Sequence, residues 1–455
     1  MNSSTPLLGK WQPGPASFLS WMAFASSLAV GVVSAAAIAS PEVFARTLGG
    51  AIAVLALLVW PEISLALYLV VGDLKGDDRI ASLLPWDLTL ALGAVLVAGI
   101  GLNLLRGKRP PAMPSIYFLF IPLVCLMTAS LFYTPAFDAG LEKIGRFLGV
   151  TSLAIVAPFF VLGSPREMKR FLVSFAIAAL AICAWSLHAL GGSERLATPS
   201  DNTIGLGHIA CALIVLIWFV VVLRRSLRWR LLGYALLAVP VVALVGSGSR
   251  GPLLACGVVV LISLCFCPRR WIDLVALAAM GFLALPFADI PGSSIDYLAT
   301  LVRSQSLNAL LSFRSDLLAN GWALLTQHPF FGIGIQGFRY GSPNPALYNW
   351  PHDIFLEIAC ELGLPAAIFV CVIFIGAIRE SIRQLKDSHS PFRELAQFAA
   401  ALLLVGIING MNTGDINSDR STWLFLSLVF VVRGYRIADL NRTRRQTEAP
   451  HALAA

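Results

Sequence analysis

Charged residues are scarce in this chain. Asp, Glu, Lys and Arg make up 13% of its 455 residues and hydrophobic residues 57%, whereas a soluble domain has about a quarter charged residues. Mean hydropathy is +0.79. The apolar blocks are long enough for helices to cross a hydrocarbon core about 30 Å thick, unlike the short alternating segments of a membrane β-barrel. The composition excludes a soluble globular protein and predicts an all-α, polytopic membrane helical bundle.

Motifs for metals, nucleotides and disulfides are also missing. The eight cysteines contain no CxxC pair, and the chain has no HExxH, no P-loop and no GxGxxG that opens a helix. We therefore expect no metal site and no cofactor. We interpret the net charge of +8 as a result of membrane topology, since no nucleic-acid-binding motif accompanies it.

The apolar blocks predict about 12 transmembrane helices plus one short hairpin. They lie near 18–39, 47–59, 62–72, 86–105, 114–132, 144–163, 168–190, 204–223, 229–247, 251–266, 271–288, 353–378, 393–411 and 421–433. The hairpin is the pair of short blocks around Pro61, because proline breaks a helix or begins a new one. The predicted regions are the first part of the bundle (1–288), a long loop (289–351), the last helices (352–434) and a tail (435–455).

The orientation follows from the basic residues. Two thirds of the 33 Lys and Arg residues fall in segments that share one side of the membrane, and most of the 25 carboxylates fall on the other. Because Lys and Arg in short loops stay cytoplasmic, both termini are predicted inside and the 289–351 loop outside. The loop is rich in Leu, Phe and Trp, and apolar residues at helical spacing from Leu310 to Leu325 predict an amphipathic helix over the outer mouth of the bundle.

Four outer arginines are candidate ligands for a phosphate or diphosphate. Arg250 lies in GSGSRGP, Arg146 opens the sixth span, and Arg314 and Arg339 lie in the long loop. The guanidinium fork suits phosphate oxygens, and the glycines beside Arg250 would allow backbone N–H groups to approach the same ligand. The alternative for each is an interfacial arginine that contacts headgroups or pairs with an outer carboxylate.

A histidine and three carboxylates begin a late helix. Asp353, Glu357 and Glu361 are spaced four apart in NWPHDIFLEIACELGLP, which predicts one helical stripe. Glu361 would lie within the hydrocarbon zone and needs a cationic partner or a wet cavity. His352 precedes the stripe and has a pKa suited to proton transfer near neutrality. The alternative is a helix-entrance histidine that is hydrogen-bonded to the loop.

Two weaker candidates lie elsewhere on the predicted outer side. His208 opens the eighth span in IGLGHIA, where it could line the cavity. Asp415 and Asp419 lie in the last outer loop, NTGDINSDRST, and there we favour capping of the final helix by Ser418 or Asp419.

Three segments together resemble a known family. SGSRGPLLA, HPFFGIGIQGFRYGSP and PHDIFLEIACELGLP resemble, in that order and spacing, the O-antigen ligase and O-antigen polymerase superfamily of bacterial inner membranes. The resemblance covers about residues 246–365 by motif and the whole chain by topology. The family pattern usually has Asn after the histidine, where this chain has Asp353.

The resemblance implies metal-independent glycan transfer at the periplasmic face. The donor would be a polysaccharide on undecaprenyl diphosphate, and in the favoured ligase branch the acceptor would be a sugar hydroxyl of the lipid A core, as in lipopolysaccharide assembly. By motif position Arg250 would bind diphosphate, Arg314 would be the loop arginine and His352 the essential histidine, while Arg146 is carried over by its place alone. An O-antigen polymerase or a protein O-oligosaccharyltransferase would use the same donor. A lipid-linked glycan transporter is disfavoured, because the notable charges collect at one face and not near the midplane.

Overall fold

A computed structural model describes residues 41–74, 87–108, 110, 113–189, 195–222, 227–264, 275, 307–342, 350–412 and 414–452. Within these ranges every regular element is a helix. The span predicted near 18–39 and, apart from residue 275, the span predicted near 271–288 lie outside the described residues.

Fifteen α-helices are described, and they are numbered here in chain order. They are α1 Pro41–Val59, α2 Pro61–Val70, α3 Leu88–Leu105, α4 Phe120–Ala129, α5 Phe137–Arg146, α6 Ser152–Val161, α7 Pro165–Ser186, α8 Thr203–Ile217, α9 Leu227–Gly246, α10 Arg250–Leu264, α11 Leu307–Gln327, α12 Phe338–Gly341, α13 Ile354–Lys386, α14 Arg393–Gly410 and α15 Arg420–Ala452. Helix α1 belongs to a separate unit from the bundle that begins at Trp60.

Eight of the described helical segments are long and apolar enough to cross a membrane, or nine if the pair on either side of Trp60 counts as one span. Helix α10 is shorter but also apolar. The predicted all-α membrane bundle is therefore confirmed, whereas the count of twelve spans is not. The predicted break near Pro61 is also present, and this proline is the first residue of α2.

Two segments differ in extent from the predicted blocks. A π-helical turn at Phe147–Thr151 joins α5 to α6, so one span runs from Phe137 to Val161 and begins earlier than the block at 144–163. The final helix continues to Ala452, past the end of the block at 433. Polar and charged residues together make up most of this extension, so apolar periodicity could not reveal it.

An aromatic cluster fills the centre of the bundle. The indole of Trp423 on α15 packs against Phe120, Phe147 and Phe374, which lie on or beside α4, α5 and α13. One turn further on, the Ser427 hydroxyl donates to the Ile155 carbonyl at 2.8 Å. Burying this polar side chain is tolerable in a membrane because its hydrogen bond is made inside the protein.

Helix α13 breaks at Gly363, where φ is 81° and ψ is 175°. The break frees backbone groups, because Pro365 has no N–H to offer the Glu361 carbonyl. A loop at residues 329–337, called here the docking loop, supplies the missing partners. Gly334 N donates to the Glu361 carbonyl at 2.9 Å, Ile333 N donates to the Cys360 carbonyl at 2.9 Å, and Leu364 N donates to the Pro329 carbonyl at 2.8 Å.

Glycines make this backbone contact possible. A Cβ at Gly332 would lie 2.3 Å from the Glu361 carbonyl carbon, and a Cβ at Gly363 would lie 2.3 Å from the Phe330 carbonyl oxygen. Both distances are far below any real contact, so only glycine fits at either position. The docking loop and the broken helix form one structural unit.

Candidate functional site

A buried lysine joins the carboxylates of α13. Lys143 Nζ on α5 lies 2.5 Å from Glu357 Oε1 and 2.6 Å from Glu361 Oε2. The lysine side chain is 8% exposed and the two carboxylates are 1% and 2% exposed. The structure thus supplies the cationic partner that the position of Glu361 required.

Each carboxylate also accepts a hydrogen bond from the backbone of another segment. Glu357 Oε2 accepts from Ile416 N at 3.0 Å, and Glu361 Oε2 accepts from Gln336 N in the docking loop at 2.9 Å. Asn417 donates its amide to the Lys143 carbonyl at 2.9 Å. These bonds tie α5, α13, the docking loop and the loop before α15 to one ionic centre, called here the Lys143 clamp. The clamp fixes the start of α13.

His352 and Asp353 form the entrance to α13. Asp353 is the N-cap, and its Oδ1 accepts from Phe355 N at 2.9 Å and from Leu356 N at 3.0 Å. Burial raises the pKa of this carboxyl, against the opposing effect of the two backbone N–H groups. His352 has a φ of 58°, and Trp350 Nε1 donates to His352 Nδ1 at 3.2 Å. The stripe predicted from spacing is thus divided: Asp353 caps the helix, while Glu357 and Glu361 enter the clamp.

Arg250 is the first residue of α10, directly after the tight turn that follows α9. Gly248 has a φ of 65°, and its carbonyl accepts from Arg195 Nη2 at 2.8 Å. Burial and the nearby positive charge of Arg250 lower the pKa of Arg195. Guanidinium groups donate to phosphate oxygens through paired N–H groups. This turn is the strongest candidate for a phosphate site in the described residues.

A cavity of about 260 Å³ lies among α2, α7, α8 and α15. Its polar lining is Asp73, Asn202, His208, Ser418, Arg420 and Ser421. Arg420 donates to the Tyr68 carbonyl at 3.4 Å and lies over the Tyr68 ring. His208 Nδ1 lies 3.9 Å from Asp419 Oδ1. The Asp419 side chain also accepts from the Thr422 backbone N–H at 3.4 Å, an N-cap contact at the start of α15.

The turn, the cavity and the entrance to α13 lie at one end of the bundle. Ser249 Oγ donates to the Thr203 carbonyl at 2.9 Å, which joins the turn to the start of α8. A Cβ at Gly414 would lie 3.0 Å from Ile354 Cδ1 and 3.2 Å from Asp419 Cβ, so the loop before α15 adjoins the start of α13. This end of the molecule is called here the His352 end.

The other predicted arginines are placed less tightly. Arg146 is 67% exposed and pairs with Glu142 at 2.5 Å, which matches the alternative of pairing with an outer carboxylate. Arg339 is exposed on α12. The backbone of Arg314 is part of α11, the helix that periodicity predicted in the long loop.

Sequence reasoning did not single out Lys143, Arg195 or Arg420. Lys143 stands three residues before the candidate Arg146, but Lys143 itself was counted only as an outer basic residue. The available signal was the need of Glu361 for a cation, but spacing along the chain cannot identify a partner more than 200 residues away. Among the described residues no group of three His, Cys, Asp or Glu side chains suits a metal ion, and metal independence stays a prediction.

Residues 235–371 match the family model described as O-antigen ligase. The match covers less than a third of the chain, and it supports a relationship to the O-antigen ligase superfamily. Members of this superfamily are membrane glycosyltransferase-like enzymes, and the family implies a lipid-linked glycan as substrate. No curated protein matches the chain.

The matched segment includes the main predicted residues. Arg250, the docking loop, His352 and both clamp carboxylates fall between 235 and 371. Lys143, Arg195 and His208 lie before the matched segment and Arg420 lies after it. The His352 end is therefore built from the matched segment together with helices outside it.

Proposed function

We propose that this protein transfers a polysaccharide from undecaprenyl diphosphate to a sugar hydroxyl of the lipid A core at the periplasmic face of the bacterial inner membrane. The observation that carries the proposal is the O-antigen ligase match over 235–371, since this segment contains both Arg250 and His352. Supporting it, Arg250 and His352 belong to elements that meet at the same end of the bundle.

Arg250 binds the donor diphosphate in this proposal, and Arg195, Arg146 and Arg314 assist. When the glycan leaves, the bond between its anomeric carbon and the diphosphate breaks and negative charge develops on the departing oxygen. Guanidinium groups fixed before the reaction stabilise that charge without reorganisation. Arg195 donates to the carbonyl of Gly248, two residues before Arg250, so both guanidinium groups adjoin the same turn.

His352 takes the proton of the acceptor hydroxyl as its oxygen attacks the anomeric carbon. The bond from Trp350 occupies the Nδ1 lone pair, and a neutral imidazole then carries its proton on Nε2. His352 therefore accepts a proton only after Trp350 releases Nδ1, and we propose that substrate binding causes this release. Asp353, Glu357 and Glu361 support the histidine by fixing the first turns of α13. Arg339 and His208 line the approach to the site.

Two other reactions use the same donor. An O-antigen polymerase would extend a second glycan, and a protein O-oligosaccharyltransferase would modify a protein hydroxyl. The ligase is favoured because the long loop directly precedes the His352 helix and the proposed outer end is rich in arginine. A transporter is disfavoured because the described buried charges at this end serve the clamp and helix caps.

Reconstitution tests the proposal. Purified protein in liposomes would receive lipid-diphosphate glycan together with core lipid A, glycan or peptide acceptors in separate reactions. We expect a glycan–core lipid A product. An exclusive product with another acceptor would select a different branch, and glycan movement across the bilayer without transfer would support the transporter.

Chelation tests the absence of a metal requirement. Because arginines would take the role of a cation at the diphosphate, we expect full transfer in saturating EDTA. A loss of transfer that Mg²⁺ or Mn²⁺ restores would contradict the arginine-only account.

A further inference from the structure

A basic groove lies at the end of α13 that is opposite His352. Its volume is about 600 Å³, and its walls come from the segment before α4, from the last three turns of α13 and from α15. Four basic side chains line it: Arg379, Arg383, Lys386 and Arg433. Glu380 is the acidic residue among the lining side chains.

Most of this positive charge is not neutralised by the described residues. Arg433 Nε lies 3.9 Å from Glu380 Oε2, and Gln384 also donates to Glu380 at 3.1 Å. Within the described ranges Arg379, Arg383 and Lys386 make no ion pair. Part of the cluster suits the negative end of the α13 dipole, but that effect does not account for Arg433 on another helix or for the concave shape. The groove therefore favours an anion.

The groove continues into an apolar surface. Ile116, Ile382 and Phe430 contribute apolar wall. Exposed apolar side chains then follow one stripe of α13 toward its middle, at Ile368, Val372, Ile375, Ile378 and Ile382. Their spacing of three and four residues places them on one face of the helix. An anion bound in the groove would thus lie directly above a lipid-facing surface.

We propose that this groove binds the phosphate of an anionic phospholipid, with the acyl chains along the apolar stripe of α13. Guanidinium groups bind phosphate through paired N–H donors, and basic pockets between transmembrane helices are typical sites for anionic headgroups. A free phosphate would use the groove but gain nothing from the stripe. A zwitterionic lipid would bring its own ammonium group next to four cations. The anionic lipid alone satisfies both halves of the surface.

Native mass spectrometry of the full chain in detergent tests the proposal. The probes are dioleoyl phosphatidylglycerol, tetraoleoyl cardiolipin, dioleoyl phosphatidylcholine and inorganic phosphate. We expect the two anionic lipids to remain bound and Arg379→Gln/Arg383→Gln to weaken their binding at least tenfold. The matched control is Arg166→Gln/Lys169→Gln, which removes two exposed basic residues from the start of α7 at the same end of the bundle, outside the groove lining. It should change lipid binding less than twofold.

Several outcomes would overturn the inference. Equal losses of lipid binding in the groove variant and the control would show that general surface charge, and not the groove, binds the lipid. Equal retention of phosphatidylcholine, or binding of inorganic phosphate as tight as that of lipid, would remove the role of an anionic lipid. If the double variant does not fold, the single exposed change Lys386→Gln must still weaken anionic lipid binding measurably. Transfer activity is not part of the readout, so the result stands apart from the proposed function.

Discussion

Lys143 shows what a single charge can do inside this bundle. It lies between two carboxylates that are almost fully buried, and an isolated charge of that kind would be expensive in a membrane. The cluster holds two carboxylates for one ammonium, and Glu361 Oε1 has no hydrogen-bond partner among the described residues. The Lys143 ammonium therefore compensates the buried negative charge of both glutamates.

Lys143→Met should strongly destabilise the protein. Breaking a buried ion pair by removing one partner costs about 3 to 5 kcal/mol, because the remaining charge is left uncompensated. Adding Glu357→Gln and Glu361→Gln to the same chain should restore much of the loss, since no buried charge remains. Thermal unfolding in detergent would measure both changes.

Lys108→Met is the matched control. Lys108 also pairs with a glutamate, at 2.8 Å, but its side chain is 49% exposed, so its loss should cost less than about 1 kcal/mol. If Lys143→Met and Lys108→Met unfold at the same temperature, the clamp has no special role in stability.

Variants at His352 separate proton transfer from hydrogen bonding. If the imidazole is the base, His352→Ala and His352→Gln should both lower turnover about 10²- to 10⁴-fold while donor binding persists. If instead the ring only donates a hydrogen bond from Nε2, His352→Gln should retain most of the rate. Single-turnover kinetics beside a donor-binding assay would decide between the two roles.

Trp350→Phe examines the hydrogen bond to Nδ1 directly. Because the indole occupies the lone pair that a base needs, its removal should leave turnover unchanged or faster at neutral pH. A rate as low as that of His352→Ala would instead show that Trp350 is needed to orient the ring.

At the scale of elements, the union of α13 with the docking loop was only partly predictable. The sequence predicted both the helix after His352 and the turn-rich segment HPFFGIGIQGF. It did not predict that Gly363 breaks the helix or that the loop satisfies the freed carbonyls. The compensating donors lie about 30 residues earlier in the chain, and no periodicity connects them to the helix.

Gly363→Ala should disrupt this union. Its φ of 81° with ψ of 175° lies in a region that only glycine adopts readily, so strain alone would cost at least about 1 to 3 kcal/mol, and the new Cβ would collide with the Phe330 carbonyl. Both thermal stability and turnover should fall, because the break positions the start of α13.

Gly257→Ala is the control for that change. Gly257 is exposed on helix α10, and a Cβ there would meet nothing within 4 Å. Alanine favours a helix over glycine by roughly 0.5 to 1 kcal/mol, so stability should hold or rise. A similar loss in both variants would show that the break in α13 is not a special requirement.

At the scale of the whole molecule, composition and hydropathy predicted the fold class well. Lipid surroundings require helices to satisfy their own backbone, so long apolar blocks have few alternatives. The candidate site was harder to predict from the sequence. Arg250 and His352 stand out by local context, whereas Lys143, Arg195 and Arg420 gain their meaning only from neighbours that packing brings together.

The structure separates two sets of described basic residues. Lys143, Arg195 and Arg250 lie at the His352 end, while Arg379, Arg383 and Arg433 lie at the other. This division agrees with the outer and cytoplasmic sets that were predicted from the basic residues of the loops. The orientation can therefore be tested with one cysteine placed on each side.

Cysteine labelling of a cysteine-free background would test the orientation. Because the excess of Lys and Arg stays in the cytoplasm, an impermeant reagent should label cysteine placed at Ser293 or Asn344 in sealed cells. It should spare cysteine at Ser226 or Ser388 until the membrane is opened. The reverse pattern would invert the orientation and move the proposed reaction to the cytoplasm.

The exchange of backbone partners between the docking loop and α13 sets the boundaries for building chimaeras with relatives. A cassette cut at the natural limits of the long loop, 289–351, would bring in a foreign loop and leave the native break behind. The backbone N–H groups of the foreign loop, at the positions of Ile333 and Gly334, would then have to pair with the native carbonyls of the broken helix. A transplant that retains function has to extend through Pro365, and residue 143 has to travel with it.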